Sequence, residues 1–222
     1  MDIIKKLAQE LAIKEEQAKA AVQLIDEENT IPFIARYRKE MTGALNDETL
    51  RNLHERLLYL RNLEEKKEQV INAITDQGKM TEDLKKKILS AETLVAVDDL
   101  YRPYRPKKQT RATKAKEKGL EPLANILLLQ KTTKSMEEEA AAFVNAEKGV
   151  ANAKEAIAGA KDIIAEMIAD MADYRKSIRN CTMKQGSLVV KAKDEKAESV
   201  YEMYYDFREP LSKVTGYRVL AI

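Results

Sequence analysis

Apolar residues recur at three- and four-residue spacing along most of this chain, the signature of amphipathic helix. Ile3, Ile4, Leu7, Ala8 and Leu11 mark one short helix, and Ala18, Ala21, Val22 and Ile25 mark a second, with Ile13 and Lys14 in the turn between them. Such a pair predicts a helix-turn-helix-like N-terminal portion, a spacing that helical bundles also use. Asn46 is an N-cap with Asp47 and Glu48 behind it, and the series Leu50, Leu53, Leu57, Leu60, Leu63, Val70, Ile71, Ile74 predicts a helix over 47–77 that ends at Gly78. At 1.5 Å per residue that helix is about 46 Å long.

A second long helix is expected from Ile157, Ala160, Ile164, Met167, Met171, Tyr174, Ile178 and Cys181, whose alternating spacings of three and four form a heptad seam ended by Gly186. That seam calls for a partner helix, either in the same chain or in a second copy. Shorter helices are predicted over 81–89, over 111–118 behind the cap Thr110, over 122–130, and from Met136 behind the capping box of Ser135 and Glu138. Only 188–190 and the terminal 219–222 read as extended. A chain that stops in an apolar stretch with no cap or polar tail is expected to continue past Ile222, because an unpaired apolar strand edge invites aggregation.

Composition narrows the chemistry. The 222 residues hold 39 Lys and Arg against 37 Asp and Glu, seven Gly, five Pro, one Cys, one His and no Trp. The longest apolar run, 140–144, is far below the ~20 residues of a membrane span, and no secretory apolar region follows the start. A soluble, unexported protein without a membrane partner is expected. Cys181 alone excludes an internal disulfide and a cysteine zinc site, and a single His54 excludes a histidine-rich metal centre. The neighbours of His54 one turn away are Leu50, Arg51, Leu57 and Leu58, so no carboxylate orients it. Cys181 on the apolar seam reads as a small buried hydrophobe. No glycine-rich phosphate loop joins a strand to a helix. The adjacent acids Asp98 and Asp99 read as non-helical and as capping groups or partners for Arg102 or Arg105 rather than a metal site. No catalytic residue, metal or cofactor is expected.

Positive charge is concentrated in one place. From Arg102 to Lys118 there are eight basic residues and one acid, Glu117, so seventeen positions carry +7 and the remainder of the chain sums to −5. Pro103 and Pro106 are expected to hold the segment extended, while Tyr101 and Tyr104 either stack on bases or anchor the loop. Arg102, Arg105, Lys107, Lys108, Arg111, Lys114 and Lys116 are the candidate phosphate contacts. The other reading is a solvated loop whose charges meet the acidic remainder of the protein or a neighbouring domain. Arg36, Arg38 and Lys39 form a secondary candidate cluster, with Pro32 at a helix start and Gly43 at a helix end. Its arginines suit a carboxylate of the first long helix, Glu64 or Glu65, as well as a phosphate.

Five blocks in order carry a resemblance: IPFIARYRKEMTGAL at 31–45, LHERLLYLRNLEEKK at 53–67, DDLYRPYRPKKQTRA at 98–112, GLEPLA at 119–124 and AIAGAKDIIAE at 156–166. Together they resemble the N-terminal region of the bacterial Tex family of transcription accessory proteins. The resemblance implies a cytoplasmic, transcription-associated factor related to a eukaryotic elongation factor, whose N-terminal helices scaffold downstream domains. In the family those are an RNase H-like YqgF domain, helix-hairpin-helix elements and a C-terminal OB-fold RNA-binding module, the last being its best-supported nucleic-acid contact. The block at 216–221 is similar to a family segment that usually has histidine before the arginine, where this chain has Tyr217.

The sequence thus predicts an all-α, elongated multi-helix scaffold with two long helices, a Tex N-terminal-like helical domain over 1–214, and the start of a downstream region over 215–222. Its expected partners are RNA or DNA, the downstream domains of the same protein and the transcription machinery. The rival expectation is a protein-interaction or purely architectural module.

Overall fold

The computed structural model describes residues 2–106, 108–194 and 196–222, and it is predominantly helical. The chain divides into two compact units, Met1–Tyr101 and Arg102–Ile222.

The first unit is α1 (Ile3–Leu11), α2 (Glu15–Asp26), α3 (Ile31–Tyr37), α4 (Asp47–Asp76), α5 (Glu82–Ser90) and α6 (Leu94–Tyr101). Local chemistry sets the ends. Asp2 accepts from the backbone N–H of Lys5 at 3.1 Å to open α1, and Asn46 accepts from Thr49 at 2.7 Å to open α4. The 30-residue α4 is the spine, and its stripe of Leu50, Leu53, Leu57, Leu60 and Leu63 is buried against Leu7, Ala18, Ala21, Leu24 and Ile34. Each such leucine contributes about 1.5–3 kcal/mol by leaving water. Two ion pairs flank this core: Arg56 grips Glu10 with both Nε and Nη2 at 2.5 and 2.9 Å, and Arg61 grips Asp26 at 2.8 and 2.7 Å. Lys67 is buried on α4, and its ammonium donates to Glu64 and to the carbonyl of Leu89, both at 2.9 Å, which ties the end of α5 to the spine. Asp98 and Asp99, expected outside helix, lie within α6, and Asp98 sits 3.7 Å from Lys66 of α4.

The second unit begins with a 3-10 turn, Arg102–Tyr104, where an extended segment was expected, and continues through α7 (Arg111–Glu117), α8 (Glu121–Leu129), α9 (Met136–Ala141), α10 (Ala153–Asp170), α11 (Ala172–Gln185), β1 (Ser187–Lys191), β2 (Asp206–Pro210) and α12 (Gly216–Ala221). Its core joins Ala112, Ala115, Leu120, Leu123, Ala140 and Val150 to Ala156, Ala160 and Ile163 of α10. Small residues allow this close packing. A methyl group on Gly159 would lie 2.4 Å from Leu120 Cδ1 and 3.2 Å from Ala115 Cβ. The strands pair antiparallel, Val189 opposite Arg208.

Further expectations fail in this unit. The second long helix is broken at Met171, whose ψ of 117° is extended and which ends α10 and precedes α11. Only the first part of its heptad seam is buried: Ala160 lies in the core and Ile157 and Ile164 pack against it, while Met167, Met171, Tyr174, Ile178 and Cys181 are exposed. Ala156 and Ile163, beside the seam, complete the buried face where α10 packs on α7, α8 and α9. The terminal apolar run is helical, not extended, since Gly216–Ala221 form α12 and Arg218 reaches back to Glu209 of β2.

Candidate nucleic-acid interface

All the described members of the main basic cluster lie in the second unit, placed by two elements and by the loop that holds Arg105 and Lys108. The 3-10 turn carries Arg102, and α7, capped by Thr110 accepting from the N–H of Thr113 at 3.0 Å, carries Arg111, Lys114 and Lys116. Lys107 lies outside the described residues.

The structure sorts these side chains into two clefts. Arg102, Arg105 and Lys108 line an open cleft of about 400 Å³ together with Gln109, Thr110, Glu166, Ala169 and Asp170. Arg111 and Lys114, joined by Lys118, line a second of about 260 Å³ with Glu155, Gly159 and Asp162. The offsets of three and seven residues from Arg111 put Lys114 and Lys118 on one face of α7. Lys116 is on another face and pairs with Glu121 at 3.2 Å. The cations at 102, 105, 108, 111 and 114 are all exposed, while Tyr101 and Tyr104 are half-buried.

Both clefts have carboxylates on their α10 side, which charge density along the chain does not reveal. Arg102 Nε donates to Asp170 Oδ1 at 2.9 Å, and Arg111 Nε lies 3.6 Å from Asp162 Oδ1. The two pairs differ in setting. Asp170 retains 11 % side-chain exposure and anchors Arg102, whereas the Arg111 side chain is 87 % exposed and its pair contributes little. The available signal was the spacing of Asp162, Glu166 and Asp170, four residues apart on one helix opposite a +7 segment.

The secondary cluster belongs to the other unit. Gln17 of α2 donates to the carbonyls of Thr42 and Gly43 at 3.3 and 2.9 Å, fixing the turn after α3, which stops at Tyr37 rather than at Gly43. Arg38 lies over the Phe33 ring at 5.1 Å and Arg36 beside the Tyr37 ring at 6.0 Å, and both are exposed, as is Lys39. The expected pairing with Glu64 or Glu65 is absent among the described residues: Glu64 accepts from Lys67 and Glu65 from Gln69 at 3.0 Å. Tyr217 is exposed, and hydrogen bonding with Thr215 and then Arg218 holds its phenol below the usual tyrosine range. Cys181, expected buried, is exposed beside Gln185. Among the described residues no three His, Cys, Asp or Glu side chains are grouped to hold a metal ion, and no helix is long and apolar enough to cross a membrane.

Residues 1–75 match the model of the Tex-like protein N-terminal domain, and residues 131–222 match that of the Tex central region. The chain belongs to the Tex family. Among its relatives, Protein YhgF of Escherichia coli is 45% identical over 219 residues, covering 97% of this chain and 28% of the relative. The Transcriptional accessory protein Tex of Neisseria gonorrhoeae is 41% identical over 225 residues, covering 100% of the chain and 29% of the relative. The human S1 RNA-binding domain-containing protein 1 is 30% identical over 231 residues, covering 100% and 23%. This Tex-family chain therefore spans less than a third of the length of the curated relatives it matches. The basic segment lies between the two matched regions.

Proposed function

We propose that these residues form a non-enzymatic scaffold region of a cytoplasmic transcription accessory protein, and that the segment 102–118 contacts the phosphates of RNA or DNA bound by the parent protein. One observation carries the reading: exposed cations from a 3-10 turn, a loop and one face of α7 line two clefts that follow each other along a single short segment. Such an array recognises the sugar-phosphate backbone and not base sequence, and its affinity falls steeply with salt. The names of the relatives, one a transcriptional accessory protein and one an S1 RNA-binding domain-containing protein, agree with that setting. The test is a titration of labelled single-stranded RNA and of duplex DNA with the 222-residue chain across a range of salt. The expected log–log slope is about −0.7 per neutralised phosphate on single strands and about −0.9 on duplex. Charge reversal at Lys108, Arg111 and Lys114 is expected to abolish the salt-dependent binding, and unchanged affinity rejects the assignment.

A second reading has its own support. The pairs of Arg102 with Asp170 and Arg111 with Asp162 show that the segment already engages protein carboxylates. An architectural module would use the same cations to dock an acidic surface of a downstream domain or of the transcription machinery, and it would bind no nucleic acid at any salt concentration.

A further inference from the structure

The carboxylates of α10 stand where a ligand of the basic segment would have to come. Asp162, Glu166 and Asp170 recur every fourth residue, so they climb one side of the helix in steps of about 6 Å. Each meets the segment. Asp170 accepts from Arg102, Asp162 lies beside Arg111, and Glu166 lines the cleft that Arg102, Arg105 and Lys108 share. A guanidinium offers the same planar set of N–H donors to a carboxylate as to a phosphate. The two anions therefore compete for the same atoms.

We propose that this acidic stripe is a built-in competitor: α10 occupies the arginine donors that a nucleic-acid phosphate would take, and a polyanion binds by exchanging its phosphates for these carboxylates. The proposal rests on the phosphate-contact reading above. A tethered carboxylate acts at an effective concentration in the millimolar range or above, so a lone phosphate group competes poorly with it. A strand that engages several cations at once does not face that limit, because each further phosphate binds as an intramolecular partner. Exposed ion pairs are individually weak, so the stripe sets a threshold of affinity and length without closing the site. Isolated nucleotides are thereby rejected and extended strands accepted.

The experiment measures anisotropy of a fluorescein-labelled oligouridylate of about twelve nucleotides, within the range of single-strand site sizes, with the 222-residue chain at low salt. Asp162→Asn/Glu166→Gln removes two members of the stripe and leaves the buried Asp170 in place, so folding is preserved. Glu137→Gln/Glu147→Gln, at exposed positions elsewhere in the same unit, changes net charge equally. The stripe variant is expected to bind about fivefold more tightly than the control variant, the scale on which exposed ion pairs act. Adding Asp170→Asn is expected to increase the gain. Equal gains in the two double variants overturn the competitor and leave the phosphate reading standing. Binding by the stripe variant where the unaltered chain shows none supports the competitor. Absence of binding by the chain and by every variant overturns the phosphate reading and the competitor with it.

Discussion

Asp170, the last residue of α10, and Arg102, the first of the second unit, meet across 68 positions of chain with Oδ1 and Nε 2.9 Å apart. The carboxylate is buried and the guanidinium half-exposed, so the contact ties the start of the basic segment to the helix that carries the core of its unit. Arg102→Ala is expected to lower the stability of the second unit by about 1–2 kcal/mol, the scale for a charged hydrogen bond with one buried partner. Chemical denaturation followed by circular dichroism measures it. A change within the noise would mean that the contact is incidental.

Lys114 and Lys116 are two residues apart on α7 and point to different faces. If the clefts are the nucleic-acid contact, Lys114→Ala reduces affinity and lowers the salt slope by about 0.7 on single strands. Lys116→Ala, which removes a pair with Glu121 outside both clefts, leaves affinity within twofold. Parallel titrations of the two variants give the comparison, and equal losses would indicate diffuse attraction by net charge.

Gly159 and Gly216 separate helix propensity from packing. Alanine is favoured over glycine in a helix by up to ~1 kcal/mol, yet at Gly159 its methyl would press on Leu120 and Ala115, and at Gly216 it would meet nothing within 4 Å. Gly159→Ala is expected to destabilise by about 1–3 kcal/mol through overpacking. Gly216→Ala leaves stability unchanged or slightly raised. Thermal melts of both variants decide the matter.

The break at Met171 is open to proline scanning. Ala172 is the first residue of α11, a position where proline fits because its missing N–H has no helical acceptor. Ala172→Pro is expected to preserve helicity and stability, whereas Ala169→Pro, inside α10, costs about 3 kcal/mol or more. Loss of helicity in both would show a continuous helix in solution.

Acid weakens the first unit through carboxylates held below their ordinary range, Glu10 and Asp26 among them. The hydrogen bonds from Arg56 hold the Glu10 carboxyl below its usual value of 4.5, and those from Arg61 hold Asp26 below 3.8. A group whose folded pKa is depressed adds stability that is fully present above the unfolded value and disappears as pH falls through the folded one. Urea midpoints are therefore expected to be flat near neutrality and to fall as pH drops below about 4.5. Arg56→Met should flatten that fall, and an unaltered profile would assign it to other groups.

The sequence revealed those parts of the fold that local chemistry decides. Caps and leucine spacing placed α4 at 47–76 against an expected 47–77, and Thr110 and the Ser135–Glu138 box located two short helices. What it concealed was decided by distant partners. The heptad of 157–181 is a true pattern, yet only its first part, around Ala160, meets the core, and the break at Met171 lies between the pairing of Asp170 with Arg102 and the donation of Arg175 to the carbonyl of Ala169. Strand β2 was missed because Asp206–Pro210 has three charged residues and a proline around its one apolar residue, Phe207, and it is paired with β1. The cations of the candidate site could be named from charge density alone, whereas their division between two clefts, and the acids across from them, depended on the packing of α10 against α7.

Met171 also sets a mechanical ratio. With one extended residue between α10 and α11, the direction of α11 depends on the backbone dihedral angles of Met171, with Arg175 donating across the break to the carbonyl of Ala169 at 3.4 Å. The 14 residues of α11 form an arm of about 21 Å, so a rotation of roughly ten degrees at that pivot carries the arm's far end through about 4 Å. A side chain's width of travel at the start of strand β1 thus answers to a small adjustment at one residue.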